Sequence, residues 1–299
     1  MMKRKRILAL FLAAVSCLSL AVSASAANTA NRKATDFKDY DGTAWYAEAV
    51  SAAVDNGFLY GKSSTIIDPN GDMTRAEMAA IINRSFGCYK TVDISQYKDV
   101  SKDKWYYKDV AMAVQMGTYN GRSNSAMAPD APITRQEAMT VVARALELDY
   151  DSYSETDLSA FSDRSEISNW ALPYVRAMVG ADYIHGRGKI LAPLENITRA
   201  EFAQIFYNII GTYIVSKGTY DKDIKGSVLI RTDEVTLQNM TVDGDLIIGC
   251  GAADGKITLD NVTVKGRLLV WGGGTKAVYC NNGTNMPEVV VARVDDAVK

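Results

Sequence analysis

A tetrapeptide of the form Thr-Arg-x-Glu occurs three times in the chain, and its residue types are suited to anion binding. The copies begin at Thr74, Thr134 and Thr198. Thr and Glu at this spacing form a capping box, in which each side chain bonds a backbone amide in the first turn of a helix. An Arg beside them lies at the positive end of the helix dipole, which is unfavourable without a partner. Either the Arg is exposed and forms a surface ion pair, or the Arg and the helix amides together bind a carboxylate or phosphate.

Other residues recur in step with the tetrapeptide. Each unit begins with an aromatic-x-Asp sequence, continues with a Trp and a Gly-basic pair, and has a Pro five residues before the Thr. Landmarks that keep their order three times indicate an internal repeat. Each Trp is either a core residue or a platform on which a sugar ring packs. The recurring candidates for binding are Asp39, Asp99 and Asp163, then Trp45, Trp105 and Trp170, then Gly61-Lys62, Gly121-Arg122 and Gly186-Arg187, and finally Arg75, Arg135 and Arg199.

Each repeat is predicted to form a helix, a loop and a second helix. The first helix starts near the Trp and ends at Gly57 in repeat 1, where glycine suits the left-handed residue that follows a helix. The second helix starts at the Thr. In repeat 3 Asp182 replaces this glycine, so we expect a less favourable helix end there. The apolar stripe of the first helix in repeat 1 is Tyr46, Ala49, Val50, Ala53 and Val54.

The three units resemble the S-layer homology domain in a complete three-repeat set. The resemblance covers repeat 1 at 35–90, repeat 2 at 95–150 and repeat 3 at 158–211. It implies a pseudo-threefold, α-helical prism. It also implies grooves between neighbouring repeats that bind an anionic secondary cell-wall polysaccharide, often bearing pyruvate ketals, and so anchor the protein non-covalently.

The resemblance also implies a role for each recurring residue. The capping-box arginines would engage the ketal, and the three aspartates would accept hydrogen bonds from sugar hydroxyls. The tryptophans would pack against the sugar, and the Gly-basic pairs would close the groove. Repeat 3 departs from the pattern at Asp182 and in a spacing one residue longer. We therefore expect its groove to be the least regular.

The remaining sequence is rich in β-branched residues and contains a second repeat. Residues 235–248 align with 257–270 at an offset of 22, with Asn239, Asn261 and a Gly turn recurring. This pattern predicts a linker at 212–226 and a parallel β-solenoid of about three coils at 227–299, with structural Asn residues at its turns. It resembles the start of a pectate-lyase-like β-helix. The open end would expose strand edges, so we expect it to meet a surface-protein partner or further chain. The predicted fold class is α+β multidomain.

Composition and the first residues indicate export. Residues 1–26 have a basic start, an apolar stretch and an Ala-x-Ala end, which together predict a secretory signal peptide. Without them the net charge changes from −2 to −6, and three cysteines remain, Cys88, Cys250 and Cys280. A basic nucleic-acid binder is therefore excluded. We expect at most one disulfide, between Cys250 and Cys280, and no membrane span after cleavage.

Surface anchoring through cell-wall polysaccharide is the leading functional hypothesis. We find no catalytic constellation, and His185 has no nucleophile motif beside it. No sequence feature predicts a metal site or a cofactor. One alternative is a surface polysaccharide-degrading enzyme that the repeats only target, with Lys256, Lys265 and Arg267 as weak candidates. A structural S-layer protein is the other alternative. The expected location is the cell wall, outside the cell.

Overall fold

The computed structural model describes residues 32–273 and 277–292, which form six α-helices followed by parallel β-strands. The predicted fold class is confirmed. The predicted signal peptide lies outside the described residues. The helices are α1 (Ala47–Asp55), α2 (Arg75–Phe86), α3 (Tyr107–Gln115), α4 (Arg135–Ala145), α5 (Leu172–Gly180) and α6 (Arg199–Ile209). The strands are β1 (Ile210–Ile214), β2 (Gly218–Tyr220), β3 (Ser227–Ile230), β4 (Val235–Val242), β5 (Leu246–Ile248), β6 (Ile257–Val264), β7 (Arg267–Val270), β8 (Val278–Asn281) and β9 (Glu288–Val291).

The second helix of each repeat begins at its predicted capping box. In α2 the Glu77 amide donates to Thr74 Oγ1 at 3.2 Å, and the Thr74 amide donates to the Glu77 carboxylate at 3.0 Å. Both bonds are also present at the starts of α4 and α6. The predicted ends of the first helices are left-handed residues, with φ of 68° at Gly57 and 62° at Asp182. Local sequence therefore determines where these helices begin and end.

The six helices close into a ring. The second helix of each repeat packs on the first helix of the next, so that α2 meets α3, α4 meets α5 and α6 returns to α1. The stripe predicted for α1 is buried, including Val50 and Ala53 at 0% exposure. The second helices are buried on most of their sides, which places them in the centre of the ring.

Loops from neighbouring repeats join at the start of each central helix. The Arg75 amide donates to Ala131 O at 3.0 Å, and the Ala76 amide donates to Pro129 O at 2.9 Å. The other two repeats use Pro193 and Pro69 in the same way. The first amides of a helix have no partner within it, so each repeat satisfies them from the next. This accounts for the Pro landmark, and it means that these amides donate to carbonyls of the neighbouring repeat.

The strands form a solenoid of about four turns that starts directly after α6. One sheet has the order β1-β3-β5-β7-β9 and the other β2-β4-β6-β8, and every pairing is parallel. Val235 pairs with Ile257, which confirms the 22-residue offset. The predicted linker at 212–226 is wrong, because β1 and β2 of the first coil lie in this region. Because β1 and β2 add a coil, the solenoid has about four coils instead of the expected three.

The recurring Asn residues bend the long strands. Asn239 and Asn261 have φ of 51° and 56°, a region that asparagine tolerates better than most residues. The Asn261 side-chain amide donates to Asn239 Oδ1 at 2.9 Å, so the side chains stack from coil to coil. The bend shifts the inward-facing positions of the strand by one residue. In β4, the consecutive inward-facing residues Leu237 and Met240 are therefore three positions apart instead of two. The structural interpretation of these residues is confirmed.

The solenoid caps the carboxyl ends of the central helices. Arg231 Nη1 donates to Arg84 O at the end of α2, at 2.8 Å. At the end of α4, Arg267 donates to Leu146 O and Glu147 O, and the Trp271 indole donates to Ala145 O at 2.8 Å. Cations there satisfy orphan carbonyls and interact favourably with the helix dipole. The third central helix, α6, continues into β1.

Replacing Arg267 by methionine is expected to lower the free energy of unfolding by about 2 kcal/mol. The change keeps the apolar stem but removes the bonds to the end of α4 and leaves the Asp245 carboxylate, 2.8 Å from Arg267 Nη2, without its cation. Denaturant unfolding measures the difference. The matched control is Lys265→Met, which removes an exposed pair with Asp243 and should leave stability nearly unchanged. Equal effects of the two variants would contradict the capping role.

The expected pairing of Cys250 with Cys280 is wrong. Cys280 lies on β8 with an exposed side chain, opposite Leu259 of β6. Cys250 instead lies at the contact between the solenoid and repeat 1, where its Sγ is 2.9 Å from Cys88 Sγ. The docking of the solenoid brings together two residues that are 162 positions apart in the chain.

Candidate functional site: two grooves of the helical ring

The capping-box Glu residues of repeats 2 and 3 have a second function, as acceptors for arginines from two repeats. Glu137 Oε1 accepts from Arg75 Nη1 at 3.0 Å and from Arg122 Nε at 3.2 Å. Its Oε2 accepts from Arg122 Nη2 at 3.2 Å and from the Thr134 amide at 2.8 Å. Two guanidinium groups therefore share one carboxylate, which leaves one positive charge uncompensated within this cluster.

The capping-box arginines are buried and join one repeat to the next. Arg75 is 5% exposed, and it donates through Nε to Met127 O at 2.8 Å and through Nη2 to Asn120 O at 3.0 Å. Arg135 makes the corresponding bonds to Leu191 O and Glu201, and Arg199 to Ile67 O and Tyr60 O. The interpretation of these arginines as exposed residues in surface ion pairs is therefore wrong. Their role toward an anionic ligand stays a prediction.

The same cluster in repeat 3 keeps its carboxylate ionised. Arg135 Nη1 and Arg187 Nε donate to Glu201 Oε1 at 2.9 Å and 2.7 Å. Burial by itself would raise the pKa of Glu201, but the Thr198 amide and the charges of Arg135 and Arg187 together hold that pKa below its ordinary value. In repeat 1 the basic residue is Lys62, whose Nζ lies 3.6 Å from Glu77 Oε1.

Two grooves open beside these clusters. The repeat 2 groove has a volume of about 550 Å³ and takes residues from all three repeats. Repeat 1 contributes the edge of Arg75, repeat 2 contributes most of the walls, and repeat 3 contributes Trp170. The wall residues include Asn120, Gly121, Arg122, Glu137, Thr140 and Arg144.

The repeat 3 groove is built in the same way, with the repeats advanced by one. Its volume is about 500 Å³, and it combines Arg135 of repeat 2 with Trp45 of repeat 1. Repeat 3 contributes the remaining lining, which includes His185, Gly186, Arg187, Glu201, Gln204 and Asn208. The departures from the pattern in repeat 3 do not remove this groove.

The three tryptophans lie on the surface. Trp45, Trp105 and Trp170 are 64%, 43% and 52% exposed. The interpretation of the three tryptophans as core residues is therefore wrong. An exposed indole at the edge of a polar groove offers an apolar face to a sugar ring, and Trp45 and Trp170 have this position.

Repeat 1 differs at the position that corresponds to these grooves. There the Arg84 guanidinium lies 4.2 Å from the centre of the Tyr60 ring and donates through Nη1 to Phe58 O at 3.0 Å. Tyr60 occupies the place of Asn120 and His185, directly before the Gly-basic pair. A ring packed against a cation at this place makes the surface of repeat 1 unlike the other two.

The three aspartates close a loop within each repeat. Asp99 accepts from the amides of Met127 and Ala128 at 2.9 Å and 2.7 Å. Asp39 and Asp163 accept from the equivalent pairs of amides. Ala128 has a φ of 53°, so the carboxylate holds a strained turn. The role of these aspartates as acceptors for sugar hydroxyls stays a prediction. Only the carboxylate lone pairs that the two backbone amides leave free are available for it.

The glycine of each Gly-basic pair is required for close packing. A Cβ at Gly121 would lie 2.5 Å from the Tyr97 ring, the aromatic landmark of that repeat. Gly61 and Gly186 meet Phe37 and Phe161 with contacts under 3.0 Å. The glycine and the aromatic residue therefore recur together because they pack together. This packing sets the position of the basic side chain that follows.

Arg144 is a groove residue that the sequence analysis missed. It lies on α4 seven residues after Glu137, lines the repeat 2 groove and has its guanidinium 4.9 Å from the centre of the Tyr174 ring. Arg84 and Asn208 occupy the same position in the other repeats. Seven residues are two helical turns, so the spacing from the capping-box Glu placed Arg144 on the groove face and could have identified it.

The candidate enzyme residues of the solenoid do not form a site. Arg267 is used in capping α4, Lys265 pairs with the exposed Asp243 at 2.7 Å, and the Lys256 amine lies 4.9 Å from the centre of the Tyr279 ring. Within residues 32–273 and 277–292, no group of three or more His, Cys, Asp or Glu side chains is placed to hold a metal ion.

Comparison with known proteins identifies the helical ring. The sequence profile of the S-layer homology domain matches residues 36–79, 96–139 and 160–203. The chain carries three S-layer homology domains. Each match ends within the second helix of a repeat, so it includes the aromatic-x-Asp sequence, the Trp, the Gly-basic pair and the capping box. The resemblance inferred from these residues is confirmed.

The relatives include a surface-layer protein, a cellulosome-anchoring protein and an exoglucanase. The chain is 34% identical over 204 residues to a surface-layer 125 kDa protein of Lysinibacillus sphaericus, an alignment that covers 67% of this chain and 17% of that protein. It is 28% identical over 182 residues to a cellulosome-anchoring protein of Acetivibrio thermocellus, covering 59% and 38%. An exoglucanase of Acetivibrio thermocellus is 28% identical over 182 residues, covering 60% and 16%.

The domain content and the relatives place the chain at the cell surface, where S-layer homology domains serve as anchors. The chain spans 16% to 38% of the lengths of the three relatives described above. No helix in the described part of the chain combines the length and apolar character needed to span a bilayer.

Proposed function

We propose that the chain anchors itself to the cell wall by binding an anionic polysaccharide in the repeat 2 and repeat 3 grooves. One observation carries the proposal. Each groove places an exposed tryptophan across from a cluster of two arginines and one glutamate. An indole face suits a sugar ring, and the uncompensated cation suits an acidic substituent such as the carboxylate of a pyruvate ketal.

The charge of the repeat 2 groove supports this choice of ligand. Arg75, Arg122 and Arg144 line it against one carboxylate, Glu137. Arg122 has a side chain 42% exposed, so part of its guanidinium can meet a ligand without breaking the buried cluster. The chain as a whole has a net charge of −2, so an anionic polymer is attracted locally rather than by the whole surface.

Two grooves on one chain suit a repeating polymer. A polysaccharide held in one groove raises the effective concentration of its next units at the other, so binding by the pair exceeds that of either groove alone. Weak individual sites can then give stable attachment. The surface-layer and cellulosome-anchoring relatives fit this role, which needs no catalysis by the chain.

Co-sedimentation with purified cell-wall sacculi tests the proposal. The full chain is mixed with untreated sacculi, with sacculi from which the secondary polysaccharide has been extracted, and with sacculi whose ketal groups have been removed by mild acid. We expect the chain in the pellet only with untreated sacculi. Equal pelleting with extracted sacculi would refute the polymer as ligand. Equal pelleting after ketal removal would refute the acidic substituent.

A further inference from the structure

Two cysteines meet where the solenoid contacts repeat 1. Cys88 follows the left-handed Gly87 at the end of α2, and Cys250 begins a short 3₁₀-helix, Cys250–Ala252, in the third coil. Their Sγ atoms are 2.9 Å apart. A disulfide has a sulfur–sulfur distance of about 2.0 Å, so less than about 1 Å of approach separates the two thiols from a bond.

Rigid contacts on both sides hold these cysteines together. A Cβ at Gly87 would lie 2.8 Å from the Cα of Gly251, so the two backbones touch directly beside the sulfur atoms. Arg231 fastens the preceding coil to the end of α2. The Phe86 and Trp271 rings meet edge to face at 6.5 Å on the same contact. Because the backbones are fixed by other groups, the sulfur atoms do not meet by chance orientation of mobile loops.

We propose that Cys88 and Cys250 are the site of an oxidative cross-link that covalently fastens the solenoid to the helical ring. The oxidant is of the disulfide class, either a small disulfide or a protein that exchanges disulfides. One cysteine thiolate attacks a sulfur of the oxidant and expels the first oxidant thiol. The second cysteine, as thiolate, attacks the mixed disulfide and expels the second. The chain loses two electrons and two protons, and the oxidant is reduced to two thiols.

The surroundings determine how this reaction proceeds. A small pocket lined by Cys88, Met116, Cys250 and Trp271 opens at the sulfur pair. The hydrogen bond to Cys250 and, to a smaller extent, burial raise the pKa of the Cys88 thiol. The Cys88 thiol therefore reacts slowly at neutral pH, and the cross-link should form faster at alkaline pH, where the Cys88 thiolate is more abundant.

The cross-link would change stability because it closes a long loop. It joins residues 162 positions apart, and closure of such a loop restricts the unfolded chain strongly. It also fixes the coil that lies against the end of α2. The anchoring ring and the solenoid would then unfold as one unit.

Thiol counting and peptide mapping test the cross-link. The full chain has four cysteines, so the reduced, denatured chain should titrate four thiols, and two after incubation with oxidised glutathione. Tryptic digestion without reductant should then yield residues 85–90 linked to residues 232–256. The melting temperature should rise by at least about 5 °C on oxidation and return on reduction.

Matched variants separate this bridge from other oxidation. Cys280→Ser should keep the linked peptides and the rise in melting temperature, whereas Cys88→Ser should lose both. Four titratable thiols after oxidation, or a linked peptide that contains Cys280, would overturn the proposal. Peptide mapping of the unsubstituted chain decides the question even if Cys88→Ser fails to fold.

Discussion

Replacing Arg75 by alanine is expected to lower the free energy of unfolding by about 3 kcal/mol. The guanidinium is almost entirely buried and bonds Met127 O, Asn120 O and the Glu137 carboxylate. Its loss leaves two carbonyls of the next repeat without a donor and creates a cavity between the repeats. Chemical denaturation of the full chain measures the change.

Arg122→Ala is the matched control for Arg75→Ala. Both residues donate to Glu137, but Arg122 is exposed, so its loss should cost less than about 1 kcal/mol. A stability loss as small in Arg75→Ala as in Arg122→Ala would contradict the structural role of the buried arginine. Because the helical ring depends on the three capping-box arginines, a variant that lacks all three would lose stability as well as any ligand contact. Such a variant therefore cannot test ligand binding alone.

The second large effect is expected on binding. Replacing Trp45 and Trp170 together by alanine should weaken co-sedimentation with sacculi by about 100-fold, because both grooves lose the face on which a sugar packs and avidity is lost with them. Each single variant should weaken binding by about tenfold. The measurement is a binding isotherm for the pelleted fraction.

Stability separates a lost ligand contact from a lost fold. The two indoles are mostly exposed, so the melting temperature of the double variant should stay within about 2 °C of the unsubstituted chain. Tyr279→Ala, which removes an exposed ring on the solenoid, is the matched control and should bind normally. Unchanged binding by the double variant would show that the grooves do not hold the polymer.

Features that depend on local sequence were predictable. Thr74 and Glu77 define a helix start within four residues, and Gly57 and Asp182 define helix ends through their backbone conformation. The register of β4 on β6 follows from a direct internal repeat. In each case the interacting groups lie close in the chain or repeat at a fixed offset, so the spacing alone carries the information.

Features that depend on the next repeat were not predictable from the motif. Arg75 is buried because its partners lie 45 to 62 residues further on, and nothing beside Arg75 indicates this. The pairing of Cys250 with Cys88 depends on where the solenoid docks. The strands at 212–226 were missed because β1 and β2 are short and are stabilised by pairing with β3 and β4.

A crystal structure of the full chain soaked with a purified, pyruvylated fragment of the wall polysaccharide tests the central claim most directly. We predict a sugar ring packed on Trp170 in the repeat 2 groove, with its carboxylate bonded to Arg122, and a second copy at Trp45 and Arg187 in the repeat 3 groove. Fragment bound on the solenoid while both grooves remain empty at saturating concentration would contradict the account.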